Sequence, residues 1–202
     1  MKLIPAIDLK NNKAVLAKNG SRDKYIEIPK NIAPSSSPIA FIKHLLSFHH
    51  FSTIYLADLD SINIFNSYGN KINEIISTYK HINFIIDNGV NNYSQINIYE
   101  GTNYKQIIGT ETYIEYKKLQ NNTTTKYIWS LDYKNNAILS KNNEYTMLKP
   151  SDVICMSIDN IGTLNGPSYK NLESTKKLYP NSNIIVSGGL RNLEDLFKLR
   201  EK

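Results

Sequence analysis

One seven-residue segment occurs twice in this chain. Ala6-Ile7-Asp8-Leu9-Lys10-Asn11-Asn12 returns as Ser130-Leu131-Asp132-Tyr133-Lys134-Asn135-Asn136, keeping the aspartate, the aliphatic residue before it and the Lys-Asn-Asn turn. A second echo pairs Ile85-Ile86-Asp87-Asn88-Gly89-Val90-Asn91-Asn92 with Ile185-Val186-Ser187-Gly188-Gly189-Leu190-Arg191-Asn192, each a strand-like run, a glycine turn, an aliphatic residue and asparagine. If the first strand matches the fifth and the third matches the seventh, the chain is built from two halves of four βα units. A doubly wound sheet has no reason for that correspondence, whereas a (β/α)8 barrel with twofold pseudo-symmetry requires it.

The rest of the chain alternates in the same sense. Lys2 to Asp8, Thr53 to Asp58, Ile82 to Asp87, Gln106 to Gly109, Tyr127 to Asp132, Asp152 to Ser157 and Asn183 to Ser187 read as strands, short and β-branched or aromatic, each closed by a polar residue or glycine. Phe84-Ile85-Ile86 and Ile184-Ile185-Val186 are apolar on both faces, as parallel strands covered on both sides are. Between the strands, Ile39, Ile42, Leu45 and Leu46 follow Pro38 at helical spacing, as do Ile72, Ile75, Ile76 and Tyr79, and Leu193, Leu196 and Leu199. No linker divides the chain, so residues 1–202 read as one domain; Pro34-Ser35-Ser36-Ser37-Pro38 reads as a loop ending in a helix cap. Asn-rich stretches around Asn121 and Asn142 read as exposed turns.

Composition narrows the function. A mean hydropathy of -0.40 and the absence of a long apolar run argue against a membrane partner, and no secretion signal is visible. The single cysteine, Cys155, excludes an internal disulfide framework and suits a reducing cytoplasm. The net charge of +6 comes from 21 Lys and 3 Arg beside 26 Asn, with no basic run or aromatic-interleaved stripe. That pattern favours a basic pocket for an anionic small molecule over nucleic acid, which is not expected as a partner.

Pseudo-symmetry would set Asp8 and Asp132 opposite each other at the C-terminal mouth of the barrel. Two carboxylates facing across a pocket divide acid and base roles when their environments separate their pKa values; a lone Asp at a strand end more often caps a turn. Gly89, Gly109-Thr110, Gly162-Thr163 and Gly188-Gly189 each follow a strand, where backbone N–H groups can approach an anion. Each alone can be only a turn, but in two symmetry-related sets they fit two phosphate sites. Lys18 and Arg22 flank Gly20 in a basic loop, either an anion clamp or a solvated loop. Asp58 and Asp60 can support the mouth by hydrogen bonding, and no ligand set suggests a metal.

These motifs resemble the HisA/HisF phosphosugar barrels of histidine biosynthesis. Ile4-Pro5-Ala6-Ile7-Asp8-Leu9, Ala57-Asp58-Leu59-Asp60, Ile108-Gly109-Thr110, Ser130-Leu131-Asp132, Gly162-Thr163-Leu164-Asn165-Gly166-Pro167 and Val186-Ser187-Gly188-Gly189-Leu190 stand in the family's order from residue 2 to about 200. The resemblance implies an Amadori-type aldose-to-ketose isomerisation of a phosphorylated aminoimidazole carboxamide ribonucleotide, without a cofactor. Asp132 would be the acid and Asp8 the base; Gly89, Gly109 and Thr110 would hold one phosphate, and Gly162, Thr163, Gly188 and Gly189 the other. The isomerase's Gly-Gly-Gly-Ile-Arg type of turn is here Asp87-Asn88-Gly89-Val90-Asn91, and Leu16, Met156 and Ile161 stand where it has Arg, Thr and Asp. In these features the chain is more similar to HisA/HisF-related proteins of methylotrophs and methanogens, associated with tetrahydromethanopterin- or methanofuran-linked one-carbon metabolism; a non-catalytic binding paralogue is the other alternative.

Length adds an expectation of its own. Eight βα units typically take about 250 residues, and 202 residues hold seven strands and a seventh helix. The chain is therefore expected to form a TIM-type barrel without the eighth strand and helix, either a truncated family member or one whose open edge a partner chain or an oligomer covers.

Overall fold

The computed structural model describes residues 1–18, 20–64, 69–120, 127–141 and 143–202. Asn121 and Asn142, on which the two Asn-rich turns centre, lie outside the described residues. Seven parallel strands follow one another in chain order: β1 (Ala6–Lys10), β4 (Thr53–Asp58), β5 (Asn83–Asp87), β6 (Tyr104–Gly109), β7 (Tyr127–Lys134), β9 (Asp152–Ser157) and β10 (Asn183–Ser187). Three short antiparallel strands extend them: β2 (Lys13–Leu16) pairs with β1, β3 (Ile26–Glu27) with β2, and β8 (Ala137–Ile138) with β7. The helices are α1 (Pro38–Phe48), α2 (Leu59–Asn63), α3 (Gly69–Thr78), α4 (Tyr116–Gln120), α5 (Tyr169–Leu178) and α6 (Leu193–Arg200). Among the described residues no helix is long and apolar enough to cross a membrane.

The sequence repeat corresponds to a physical device. Asn11 and Asn12 have φ of 51° and 59°, and Asn135 and Asn136 have 52° and 59°. With Lys10 opposite Lys13 and Lys134 opposite Ala137, these are two-residue hairpin turns whose central pair lies in the left-handed region, where asparagine is tolerated better than other non-glycine residues. The N–H of Asn11 donates to Asp60 Oδ2 at 2.6 Å, and that of Asn135 donates to Asp159 Oδ2. Each hairpin is thus pinned to the start of the next βα loop, in both halves alike. The strand reading did not include β2, β3 and β8, because a turn and a two-residue strand leave no hydrophobic period to detect.

Strand alternation sorts the apolar side chains into layers. Ile7, Leu9, Ile54, Leu56, Phe84 and Ile86 face outward against Ile42 of α1 and Ile72, Ile75 and Ile76 of α3. In the second half Trp129, Leu131, Tyr133, Val153 and Cys155 form the outer layer with Tyr113, Tyr116 and Tyr179. Ile85, Ile107, Ile128, Ile154 and Met156 point into the barrel.

Two expectations change. The first strand begins at Ala6 rather than Lys2: the preceding segment is tied to β4 by the Pro5 carbonyl, accepting from Tyr55 N at 2.9 Å, and by Lys2 Nζ, donating to Thr53 Oγ1 at 2.5 Å, without forming a ladder. Nor does an α-helix separate β5 from β6; a 3₁₀ turn at Tyr93–Gln95 takes that place, and buried Tyr99 covers the sheet beyond it. The helical period is missing there, so the third unit departs from the four-unit half.

The barrel does not close. Among the described residues β10 pairs only with β9, and β1 meets β4 on one side and β2 on the other. A cavity of about 1540 Å³ opens between them, with Ile4, Ile85, Ile154, Ile185, Leu196 and Leu199 in its lining. This is an α/β, TIM-type barrel lacking full closure.

The turn geometry predicts that Asn12→Gly keeps the urea midpoint while Asn12→Val lowers stability by about 1–2 kcal/mol, the cost of forcing a β-branched residue into the left-handed region. Equal midpoints for the two variants would contradict the positive φ.

Candidate active site

With Ile7 and Leu9 facing outward, Asp8 faces inward. The same alternation turns Asp87 inward at the end of β5, Gly109 at the end of β6, Ser130 and Asp132 on β7 and Ser187 on β10. Because all seven strands run in parallel, these positions meet at the C-terminal mouth. The phenol of Tyr55 has Asp87, Asp8 and Asp132 around it, and their charges together with burial push its pKa well up. Asp8 and Asp132 thus share one site.

Asp132 is the most firmly held. Ser130 Oγ donates to its Oδ1 at 2.7 Å, the Glu111 N–H donates to its Oδ2 at 2.9 Å, and its own N–H donates to Thr110 Oγ1 at 2.9 Å. A Cβ at position 109 would lie 2.5 Å from Oδ2, so only glycine leaves room for the carboxylate. Burial pushes Asp132 up to about 7, with the charges of Asp87 and Glu111 adding and its two hydrogen bonds opposing. Asp8 is pushed up to about 6 by burial and by Asp87, against the pull of Arg22. Burial also raises Asp87, which accepts from the Tyr55 hydroxyl at 3.1 Å and the Gly89 N–H at 3.2 Å.

One guanidinium faces this acidic group. Arg22 lies in a 3₁₀ turn (Arg22–Lys24) beyond the first hairpin, and Lys10 Nζ donates to its carbonyl at 2.8 Å. Its Nη2 is 3.1 Å from Glu111 Oε2. Lys18, the other half of the basic loop, is exposed. Asp58 caps α2, accepting from Ser61 N at 3.0 Å and Ser61 Oγ at 2.6 Å, while Asp60 holds the hairpin. Tyr55, Glu111 and Ser130 are the site residues that sequence reasoning passed over. Glu111 directly follows the Gly109-Thr110 motif and Ser130 precedes Asp132 by one strand period, which are the signals that mark them.

The glycine turns fall into two groups. Thr110 is buried, its N–H donating to the Ser130 carbonyl at 3.0 Å, so Gly109-Thr110 braces Asp132; Gly89 packs against Ile62 of α2. In the second half Gly162 abuts the Ala17 carbonyl, and Thr163 Oγ1 donates to the Asn160 carbonyl at 2.9 Å. Gly188 and Gly189, with φ of 98° and 85°, press against the carbonyls of Ser157 and Gly166, where a side chain would collide. Among the described residues the N–H groups of Gly188 and Gly189 have no protein acceptor.

An incompletely closed parallel barrel with aspartates at matching positions of β1 and β7 places the chain among TIM-type barrels. Within that class it belongs to the histidine biosynthesis protein family, whose pattern it matches over residues 2–202. It is 33% identical to an uncharacterized protein of Methanocaldococcus jannaschii, over 97% of this chain and 85% of that one. It is also similar to phosphoribosyl imidazole-4-carboxamide isomerases: 29% identical to that of Thermoanaerobacter sp., covering 100% of this chain and 89% of the relative. With that of Buchnera aphidicola it shares 22% over 98% and 88%.

The raised Asp132 pKa sets a pH dependence. The folded value of about 7 exceeds the ordinary value of 3.8, so between them the native state binds the extra proton and stability falls as pH rises. Asp132→Asn removes that penalty, with Oδ1 still available to the Glu111 N–H. At pH 8 the variant should be the more stable by on the order of 2–4 kcal/mol, a difference that vanishes near pH 4. Thermal melts across this range check it, and a parent more stable than the variant at pH 8 contradicts the shift.

Proposed function

We propose that this protein is an aldose–ketose isomerase acting on a phosphorylated ribosylamine, a diverged relative of the isomerases it resembles. The observation that carries the reading is geometric: the two carboxylates at repeat-related positions, Asp8 and Asp132, face inward at one mouth around the Tyr55 phenol, and burial raises the pKa of both. Both carboxyls are raised toward neutral pH, where such groups can give or take a proton; the reading assigns the acid to Asp132, the more deeply buried, and the base to Asp8, which Arg22 draws toward its ionised form.

The chemistry follows from those states. Asp132 gives its proton to the ribose ring oxygen as the C1–O bond breaks, and the substrate nitrogen's lone pair forms the C1=N bond of the open-chain iminium. Asp8 removes the C2 proton; the electrons of that bond form C1=C2, and the C=N electrons return to nitrogen. Protonation of the enolamine at C1, with loss of the C2 hydroxyl proton, leaves the aminoketose. The substrate nitrogen is the electron sink throughout. The seat proposed for a substrate phosphate is formed by Gly162, Thr163, Gly188 and Gly189; what supports it is that the Gly188 and Gly189 N–H groups have no protein acceptor among the described residues.

Phosphorylated N-ribosylamines bearing one or two phosphates, incubated with the protein in deuterated water, provide the assay. Mass spectrometry should find a deuterated aminoketose, and Asp8→Asn and Asp132→Asn should each lower the rate by about 10²–10⁴-fold. Absence of product with every ribosylamine, or unchanged rates in both variants, would overturn the proposal. For an active parent, kcat/KM should rise with pH through about 6 as Asp8 ionises and fall through about 7 as Asp132 loses its proton.

A further inference from the structure

The two halves of the mouth share a pattern of capping hydrogen bonds and differ in charge and at the turn itself, where Asn88 stands opposite Gly188, whose φ is 98°. In the second half Asn192 caps α6, accepting from Asp195 N at 3.2 Å, and the Arg191 N–H donates to Asp195 Oδ2 at 3.0 Å. In the first half Asn92 accepts from Ser94 N at 3.1 Å, and the Asn91 N–H donates to Gln95 Oε1 at 2.8 Å. Residue 87 therefore corresponds to 187, and 91 to 191. At those positions the first half carries Asp87 and Asn91, and the second Ser187 and Arg191.

The hydrogen bonds differ in the same direction. The Gly89 N–H, which an anion at the first turn would need, donates to Oδ1 of Asp87 itself. The turn is filled by its own carboxylate, which Tyr55 also holds from the other side. At the second turn the Gly188 and Gly189 N–H groups and the Ser187 hydroxyl have no protein partner among the described residues. The Arg191 guanidinium, paired with Asp195, lies 3.1–3.2 Å from where a Cβ of Gly166 would stand, next to the Gly189 carbonyl that accepts from Gly166 N. Glu111 and Asp132 add negative charge on the Asp87 side, where Arg22 is the cation.

We infer that the Asp87 turn is closed to phosphate and that the substrate carries a single phosphate, seated at Ser187-Gly188-Gly189, with an amine or hydroxyl donor facing Asp87. The inference rests on reading the mouth as a phosphosugar site. Asp87 is then a specificity-determining residue: it repels a second phosphate and accepts a hydrogen bond from whatever replaces it.

Inorganic phosphate is the probe, with stoichiometry measured by calorimetry and ³¹P NMR at pH 7.5. The parent should bind one phosphate per chain. Asp87→Ser, which puts the residue of the second half at the equivalent position of the first, should add a second site within about tenfold of the first in affinity; Asp87→Gly should do the same. Ser187→Asp, the reverse exchange, should weaken the one site at least tenfold, with thermal melts confirming that each variant folds. Two phosphates on the parent would overturn this inference and leave the phosphosugar reading standing, whereas none would overturn that reading itself. A single phosphate indifferent to Ser187→Asp, or no gain in either Asp87 variant, would overturn the inference as well.

Discussion

Seven parallel strands in sequential order impose one constraint from which the rest of this molecule follows: every inward-facing residue at a C-terminal strand end must share a single space. The outward positions are mostly taken by isoleucine, leucine and aromatic side chains packed on helices, with Asp58 and Ser157 bonded to α2 and α5 there, while Asp8, Asp87 and Asp132 stand at inward positions. Asp8, Asp87 and Asp132 come from strands far apart in sequence and meet there because strand alternation gives them no other side. The hairpins that follow β1 and β7, each pinned by an aspartate of the next unit, then hold the loops that frame the mouth.

That convergence has an energetic consequence. Carboxylates gathered in a partly dry pocket disfavour one another's ionisation, and a single guanidinium offsets only part of it. The fold tolerates the arrangement through hydrogen bonds: Ser130 and the Glu111 N–H for Asp132, and Tyr55 and the Gly89 N–H for Asp87. A protein under selection for stability alone would not gather charges in this way, and such conflict between local cost and global fold is characteristic of functional sites. The absence of a side chain at Gly109 belongs to the same economy, since it makes room for the most buried of these carboxylates.

Much of the architecture was legible in the chain. Thr53–Asp58, Asp152–Ser157 and Asn183–Ser187 are strands at the bounds their β-branched runs suggest, and Pro38 begins α1 in the first-turn position that proline favours. The misread elements are those whose formation depends on neighbours. Lys2–Pro5 carries a strand-like pattern beside an open edge, and the third unit covers its sheet with Tyr99 and a 3₁₀ turn. Hairpin strands two to four residues long were invisible because their pairing is set by turn conformation rather than by hydrophobic period.

The sequence by itself determined the twofold plan, the parallel barrel class and the identity of the aspartate pair, because repeats and hydrophobic periods are local properties that survive in one dimension. Only the tertiary structure decided what surrounds that pair. It set Tyr55 against Asp87 and Arg22 against Glu111, and it separated a glycine turn whose N–H is filled from one whose N–H groups have no acceptor among the described residues. The physical reason is that burial, charge and hydrogen-bond satisfaction belong to the space between residues distant in sequence, and that space exists only once the strands have curled together.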